Sequence, residues 1–351
     1  MCLLLLHILN GIISAFIIQV ILHELGHLIW GMITGWKFLY IHIYKLVLKK
    51  SKKRLSLIMV EDKGFKCIMY PKSLKTDALF YTMGGCIVNL LSVVWGFGLL
   101  VSVRLTAILW IYIWSFTVFG VGIFFMNAIA STKRICNDKA CYNLLRADHT
   151  TRNCHNAQLF IAKQLMDGIS YRQIEKDYFN LCPYNAKNDI EAYQIILEYY
   201  YYLDTGSFHM IGPTFAKIKE TNKISKDIAD IIKSERIYSK IITKFMLLCN
   251  ELTDIEYLDK FIDTYINIVD IEKPIKQHKG GDIHSYRVKA ACEAYILYKN
   301  SDLRKVINKL NKEIEKMKRS NFVYDGEKKF CINQIRKLIE NLCKIENINK
   351  Y

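Results

Sequence analysis

From Met1 to Trp36 the chain carries one charged residue, Glu24, and neither lysine nor arginine. Between Asp77 and Arg104 lie 26 uncharged residues, and between Arg104 and Lys133 another 28. A helix needs about 20 apolar residues to cross the hydrocarbon core of a bilayer, so each stretch is long enough. No comparable gap follows. After residue 150 the longest, Asp204 to Lys217, holds 12 residues, too few to span. The pattern predicts an all-α membrane protein. Transmembrane helices are expected over residues 3–34, 78–103 and 105–127. Residues 1–149 form the membrane part, and residues 150–351 a soluble helical domain.

Buried helices of a soluble core usually keep a polar stripe. Here the only concentrated polarity is one turn of the first stretch. That stretch is read as a retained span and not as a cleaved signal: no basic residue precedes it, it is too long, and no small-residue cleavage site follows.

Orientation follows from the loops. Residues 36–77 hold eleven Lys or Arg against Glu61, Asp62 and Asp77, so this loop is expected to stay in the cytoplasm. Lys133, Arg134 and Lys139 follow the third span and fall on the same side. The N-terminus is then outside and the C-terminal domain inside. Of the net charge of +16, +10 belongs to residues 1–149. Its expected partner is anionic lipid at the 36–77 loop. No nucleic-acid-binding motif is present, so nucleic acid is not an expected partner. The eleven cysteines are scattered singly, as reduced thiols are, and the closest, Cys136 and Cys141, are read as structural.

Inside the first stretch stands His23-Glu24-Leu25-Gly26-His27. Residues four apart share one helix face, so both imidazoles can grip one ion. Zinc accepts such ligands and keeps a place for water in catalytic sites. Glu24 is the expected general base, taking a proton from that water and returning it to a leaving amine. Ionisable groups inside a span are costly and mark function. His7, alone near the outer end, is read as an interface residue. Gly26 leaves room for a neighbouring helix or a substrate strand.

Catalytic zinc needs a third protein ligand. Asp138 follows the third span on the inner side, towards which His23 and His27 lie. On depth alone it is preferred to Asp148 or His149. Asn127 and Asn137 are candidate supporting donors. The second span holds Gly84-Gly85-Cys86-Ile87-Val88-Asn89. Adjacent glycines permit close backbone contact. Asn89 has two readings, a hydrogen bond to a substrate backbone or one between helices.

Together these residues resemble the site-2 protease family of intramembrane zinc metalloproteases. The matching elements are His23-Glu24-x-x-His27 in one span, Gly84-Gly85-x-x-x-Asn89 in the next, and Asn127 through Asn137-Asp138 at the end of a third. The segment from Gly64 to Pro71 resembles the loop before the second span in small Gram-positive members. The resemblance covers roughly residues 15–145. It implies His23, His27 and Asp138 as zinc ligands, Glu24 as catalytic residue, and Asn89 and Asn127 near the substrate. Two departures stand out. Lys139 replaces the usual glycine, and Asn127-Ala128-Ile129-Ala130 lacks the usual proline. An ammonium beside a carboxylate ligand can compete with zinc for it, or point to lipid phosphates.

Strand-like runs at Phe38–Tyr44 and Leu55–Val60 predict a β-hairpin-like loop at the membrane interface, with an edge able to pair with an unwound substrate. In residues 150–351, helical periodicity covers Ile190–Leu203, Ile237–Cys249, Tyr257–Ile268, Val288–Tyr298 and Phe330–Leu342. Breaks fall at Cys182-Pro183, from Gly206 to Pro213, and from Pro274 to Asp282. Paired helices suggest a solenoid-like domain, although no clean repeat is present. Tyr199 to Tyr202 are expected in its core. His278, His284 and Cys292 are read as structural. The domain is expected to bind a cytoplasmic partner or a substrate tail.

The sequence thus leads to an intramembrane zinc endopeptidase acting on a membrane-embedded peptide or protein near the cytoplasmic face. It would release an anchored regulator or mature a secreted peptide or pheromone. The alternative is a non-catalytic membrane adaptor whose helical domain recruits a partner. A transporter is disfavoured, because three spans without a repeated half make a poor substrate pathway.

Overall fold

The computed structural model describes residues 2–52, 54–131, 136–182, 185–218, 224–249, 282–300 and 303–348. The chain divides into two units, Met1–Leu57 with Lys63–Phe160, and Ile58–Asp62 with Ile161–Tyr351.

The first unit is built on three long helices, α1 (Cys2–Ile33), α2 (Leu79–Ser102) and α3 (Ala107–Ala128), each packed on the other two. All three are long and apolar enough to cross a membrane. Only 17%, 28% and 17% of their most apolar stretches are buried, so one narrow face of each meets its neighbours. Their outer faces leave Leu5, Leu91, Trp95, Trp114 and Met126 exposed. Gly35, at φ 87°, ends α1. Its N–H and that of Trp36 donate to the carbonyls of Met32 (3.1 Å) and Gly31 (2.8 Å), the paired closure that a left-handed glycine permits.

Between α1 and α2 runs a two-stranded sheet, β1 (Lys37–Ser51) and β2 (Arg54–Tyr70). The strands are longer than the two expected runs, and they extend through the charged residues between them. Lys52, at φ 44°, lies in the tight turn. In β1 the buried positions are Leu39, Tyr40 and His42, then Val47 and Lys49, so beyond Tyr44 the even positions that include Tyr40 and His42 no longer face inward and the odd ones do. Tyr44, at φ 58°, stands at the switch, as an inserted bulge residue does. Beyond it one face presents Tyr44, Leu46 and Leu48 with Leu55, Leu57 and Met59, all exposed.

After α3 the chain turns into α4 (Asp138–Ala147) and α5 (His149–Met166). The expected boundary at 149/150 falls at the start of α5, whereas the division into units falls inside it. Asn137 makes the turn. Its side-chain oxygen accepts from the N–H groups of Ala140 (3.1 Å) and Ser131 (3.0 Å), and its amide donates to the carbonyls of Met126 (2.7 Å) and Ile129 (2.6 Å). One side chain therefore caps the start of α4 and satisfies the end of α3.

The second unit contains α6 (Asp189–Thr205), α7 (Ile211–Ala216), α8 (Lys226–Cys249), α9 (Ile283–Asn300), α10 (Leu303–Arg319) and α11 (Asp325–Ile348). α9, α10 and α11 pack on one another, and α8 packs on α9 and α11. Tyr199, Tyr200 and Tyr202 are buried in the core. Arg287 and Glu235 lie at its centre, 2.6 Å apart, and Arg287 is fully buried. His284 stacks on Tyr200, with ring centroids 4.2 Å apart, and Cys292 is buried. The expected helix Tyr257–Ile268, His278 and the break from Pro274 to Gly281 lie outside the described residues, as do Lys133, Arg134 and Pro183. Among the described residues no disulfide joins the cysteines from Cys67 to Cys343.

Candidate metal centre

His23, Glu24 and His27 are buried on α1 where it meets α2. The helices approach closely because both contact faces are glycine. A Cβ on Gly84 would sit 2.6 Å from the Gly26 carbonyl oxygen, and one on Gly85 would sit 2.5 Å from the His23 ring. The glycine pair of α2 therefore makes space for the first histidine.

Asp138 arrives from the other side, in the first turn of α4. Its Oδ2 lies 3.1 Å from His23 Nε2 and 3.4 Å from His27 Nε2. The two Nε2 atoms are 3.3 Å apart. An ion in tetrahedral coordination, with bonds of about 2.0–2.2 Å, sets its ligand atoms about 3.3–3.6 Å apart. The triangle of two imidazole nitrogens and one carboxylate oxygen suits zinc in donor type and nearly in spacing. His23, His27 and Asp138 are the group that offers metal-ligand atoms in one place among the described residues.

The supporting bonds point the same way. His27 Nδ1 lies 2.9 Å from the Tyr81 carbonyl oxygen. A carbonyl only accepts, so Nδ1 carries the proton and Nε2 presents a lone pair to Asp138's side. His23 Nδ1 lies 2.6 Å from Asn89 Oδ1. Cys86 Sγ donates to Asp138 Oδ2 at 3.7 Å.

Glu24 faces the hairpin. It lies beside the Cys67 backbone N–H. The Tyr81 hydroxyl donates to the Cys67 carbonyl (3.0 Å) and accepts from the Met69 N–H (3.3 Å). The edge of β2 at Cys67 and Met69 is thus taken by Tyr81. Burial, with Glu24 beside it, pushes the Cys67 thiol up to about 12, so it stays protonated. Trp36 stacks on Tyr81 at 4.5 Å and donates to the Asp77 carbonyl (2.9 Å), which closes the base of the hairpin.

The remaining sequence candidates are placed as follows. Asn89 is fully buried, with both ends of its amide bonded inside the bundle, so its contacts are the interhelical ones of its two readings. Asn127 turns its amide back on the Ile123 carbonyl (3.1 Å). Asp148 accepts from the Thr150 N–H (2.8 Å) and His149 pairs with Asn153 (3.2 Å). The Lys139 ammonium stands 4.6 Å from the centre of the Tyr142 ring, and among the described residues no ion pair joins it to Asp138. Sequence reasoning missed Gln19, Ser92 and the Tyr81 carbonyl. Gln19 carried a signal, since it lies one helix turn before His23 on the same face.

No protein-family model, curated protein or solved structure matches the chain.

Proposed function

We propose that this chain is an intramembrane zinc metalloendopeptidase of the site-2 protease type, which cuts a membrane-embedded peptide or protein near the cytoplasmic face. The observation that carries the reading is the convergence of His23 Nε2, His27 Nε2 and Asp138 Oδ2 within 3.4 Å of one another, with His23, Glu24 and His27 on a helix that has no other charged residue.

In this reading α1, α2 and α3 are multi-pass spans of the cell membrane. A bilayer covers the apolar faces that the bundle leaves exposed. The basic 36–77 loop keeps the hairpin, and with it the site, on the cytoplasmic side. The apolar face from Tyr44 to Met59 rests on lipid, and Lys50, Lys52 and Arg54 at the turn meet anionic headgroups.

His23, His27 and Asp138 would hold the zinc. When bound, it supplies Lewis acidity towards a peptide carbonyl and acidifies a water for attack. Glu24 would act as general base towards an attacking water and as general acid towards the leaving amine. Tyr81 and Asn89 hold the imidazoles in place. A substrate helix shields its carbonyls with its own hydrogen bonds, so it must unwind locally before cleavage. Because Tyr81 occupies the β2 edge at Cys67 and Met69, strand pairing with substrate falls elsewhere on the hairpin. Regulator release and peptide or pheromone maturation both suit this chemistry. The second unit supplies a surface for a cytoplasmic partner or a substrate tail.

The test is cleavage of a reporter membrane helix by the purified full chain in liposomes. Cleavage that a zinc chelator stops and zinc restores supports the reading. Zinc uptake without cleavage of any helix in a substrate panel favours the adaptor.

A further inference from the structure

Gln19 is fully buried on α1, one turn before His23. Its Nε2 donates to the Phe116 carbonyl on α3 (3.0 Å). Its Oε1 accepts from Asn89 Nδ2 (2.9 Å) and from the Ser92 hydroxyl (3.1 Å), both on α2. Asn89 Nδ2 also reaches the Gln19 backbone carbonyl (3.2 Å). Gly120 leaves the space: a Cβ there would stand 2.6 Å from Gln19 Nε2.

The direction of every bond follows from the Phe116 carbonyl, which can only accept. Gln19 must turn its NH2 towards it, and so turns Oε1 towards Asn89. Asn89 must then answer with its own NH2, which leaves Oδ1 towards His23. His23 Nδ1 must carry the proton, and Nε2 is left with a lone pair. A flipped Asn89 would set its oxygen against Gln19 Oε1 with no proton between them, an unmet contact between buried acceptors. It would also ask His23 for the opposite tautomer, which puts a proton where the metal belongs.

We propose that Gln19 is a positioning residue for the metal centre: by orienting the Asn89 amide it fixes the His23 tautomer that binds metal. This rests on the metal centre proposed above. It adds that the third helix reads into that centre through one carbonyl.

The experiment measures zinc and cobalt dissociation constants of the full chain in detergent by chelator competition, for wild type, Gln19→Leu, Asn89→Asp and the double variant. An aspartate at 89 accepts from His23 with whichever oxygen faces it, so the His23 tautomer no longer depends on Gln19, and its other oxygen meets Gln19 Oε1 without a proton, a contact that Gln19→Leu removes. Gln19→Leu is expected to weaken metal binding about 10-fold or more, within the about 10–100-fold range of residues that support a ligand. In the Asn89→Asp background it is expected to cause no further loss. Equal losses in both backgrounds would mean that Gln19 only packs the bundle, and no loss in either would overturn the proposal outright. A wild type that binds neither ion overturns the metal centre itself, and the relay with it.

Discussion

Asp138 Oδ2 lies 3.1 Å from His23 Nε2, although one residue opens the helix after α3 and the other sits deep in α1. The connection is made by Asn137, which caps both α3 and α4 and so delivers the next residue to the histidines. Asp138→Ala removes the acidic donor from the cluster. Zinc affinity is expected to fall by more than the roughly 100-fold that loss of a supporting residue produces, so that purified protein carries little or no zinc by mass spectrometry. One tightly held zinc in that variant would show that Asp138 is no ligand.

Gly85 and Gly98 share a helix but not a neighbourhood. A Cβ on Gly85 meets the His23 ring at 2.5–2.7 Å, whereas one on Gly98 meets nothing within 4 Å. Gly85→Ala is expected to displace His23, lower metal content and destabilise the bundle by about 1–3 kcal/mol, as overpacking does. Gly98→Ala is expected to leave thermal stability in detergent unchanged or slightly raised, because alanine favours helix. Equal behaviour of the two would remove the steric argument.

Tyr81 serves the site twice, through different atoms. Its carbonyl accepts from His27, and its hydroxyl bridges Cys67 and Met69. Tyr81→Phe keeps the first contact and deletes the second. Faster amide exchange at Met69 and a stability loss of about 1 kcal/mol are expected, with zinc retained. Loss of zinc would place the hydroxyl in the metal centre.

How much of this was readable beforehand depends on the range of the interaction. The three apolar helices and the His23–His27 spacing were legible because both are local. One follows from composition along the chain, the other from helix geometry. The hairpin was legible as strand character, but its length was not, since Glu61, Asp62 and Lys63 look unlike a strand and are held in one by pairing with β1. Gln19 and the Tyr81 carbonyl were illegible as partners. Their roles exist only once α1, α2 and α3 are packed, and a backbone carbonyl leaves no mark in a sequence. Helix α10 was passed over although Val306, Leu310, Ile314 and Met317 repeat at helical spacing, because lysine and glutamate dilute its mean hydropathy.

The buried pair of the second unit gives a further prediction. Both Glu235 oxygens accept from Arg287 Nη2, at 2.6 and 2.7 Å, and Tyr200 donates to Glu235 Oε1 at 3.0 Å. Glu235→Ala strands a guanidinium in the core and is expected to cost about 3–5 kcal/mol. Replacing both, Glu235→Leu with Arg287→Met, is expected to recover most of that loss. Urea unfolding of the full chain in detergent measures the difference. A double variant no more stable than the single one would contradict it.

Glu24 carries the central claim. The decisive measurement is zinc content and reporter-helix cleavage, taken in parallel on one preparation of wild type and one of Glu24→Gln. The account predicts equal zinc in both and cleavage in the wild type alone. Full cleavage by the zinc-loaded Glu24→Gln protein would contradict it.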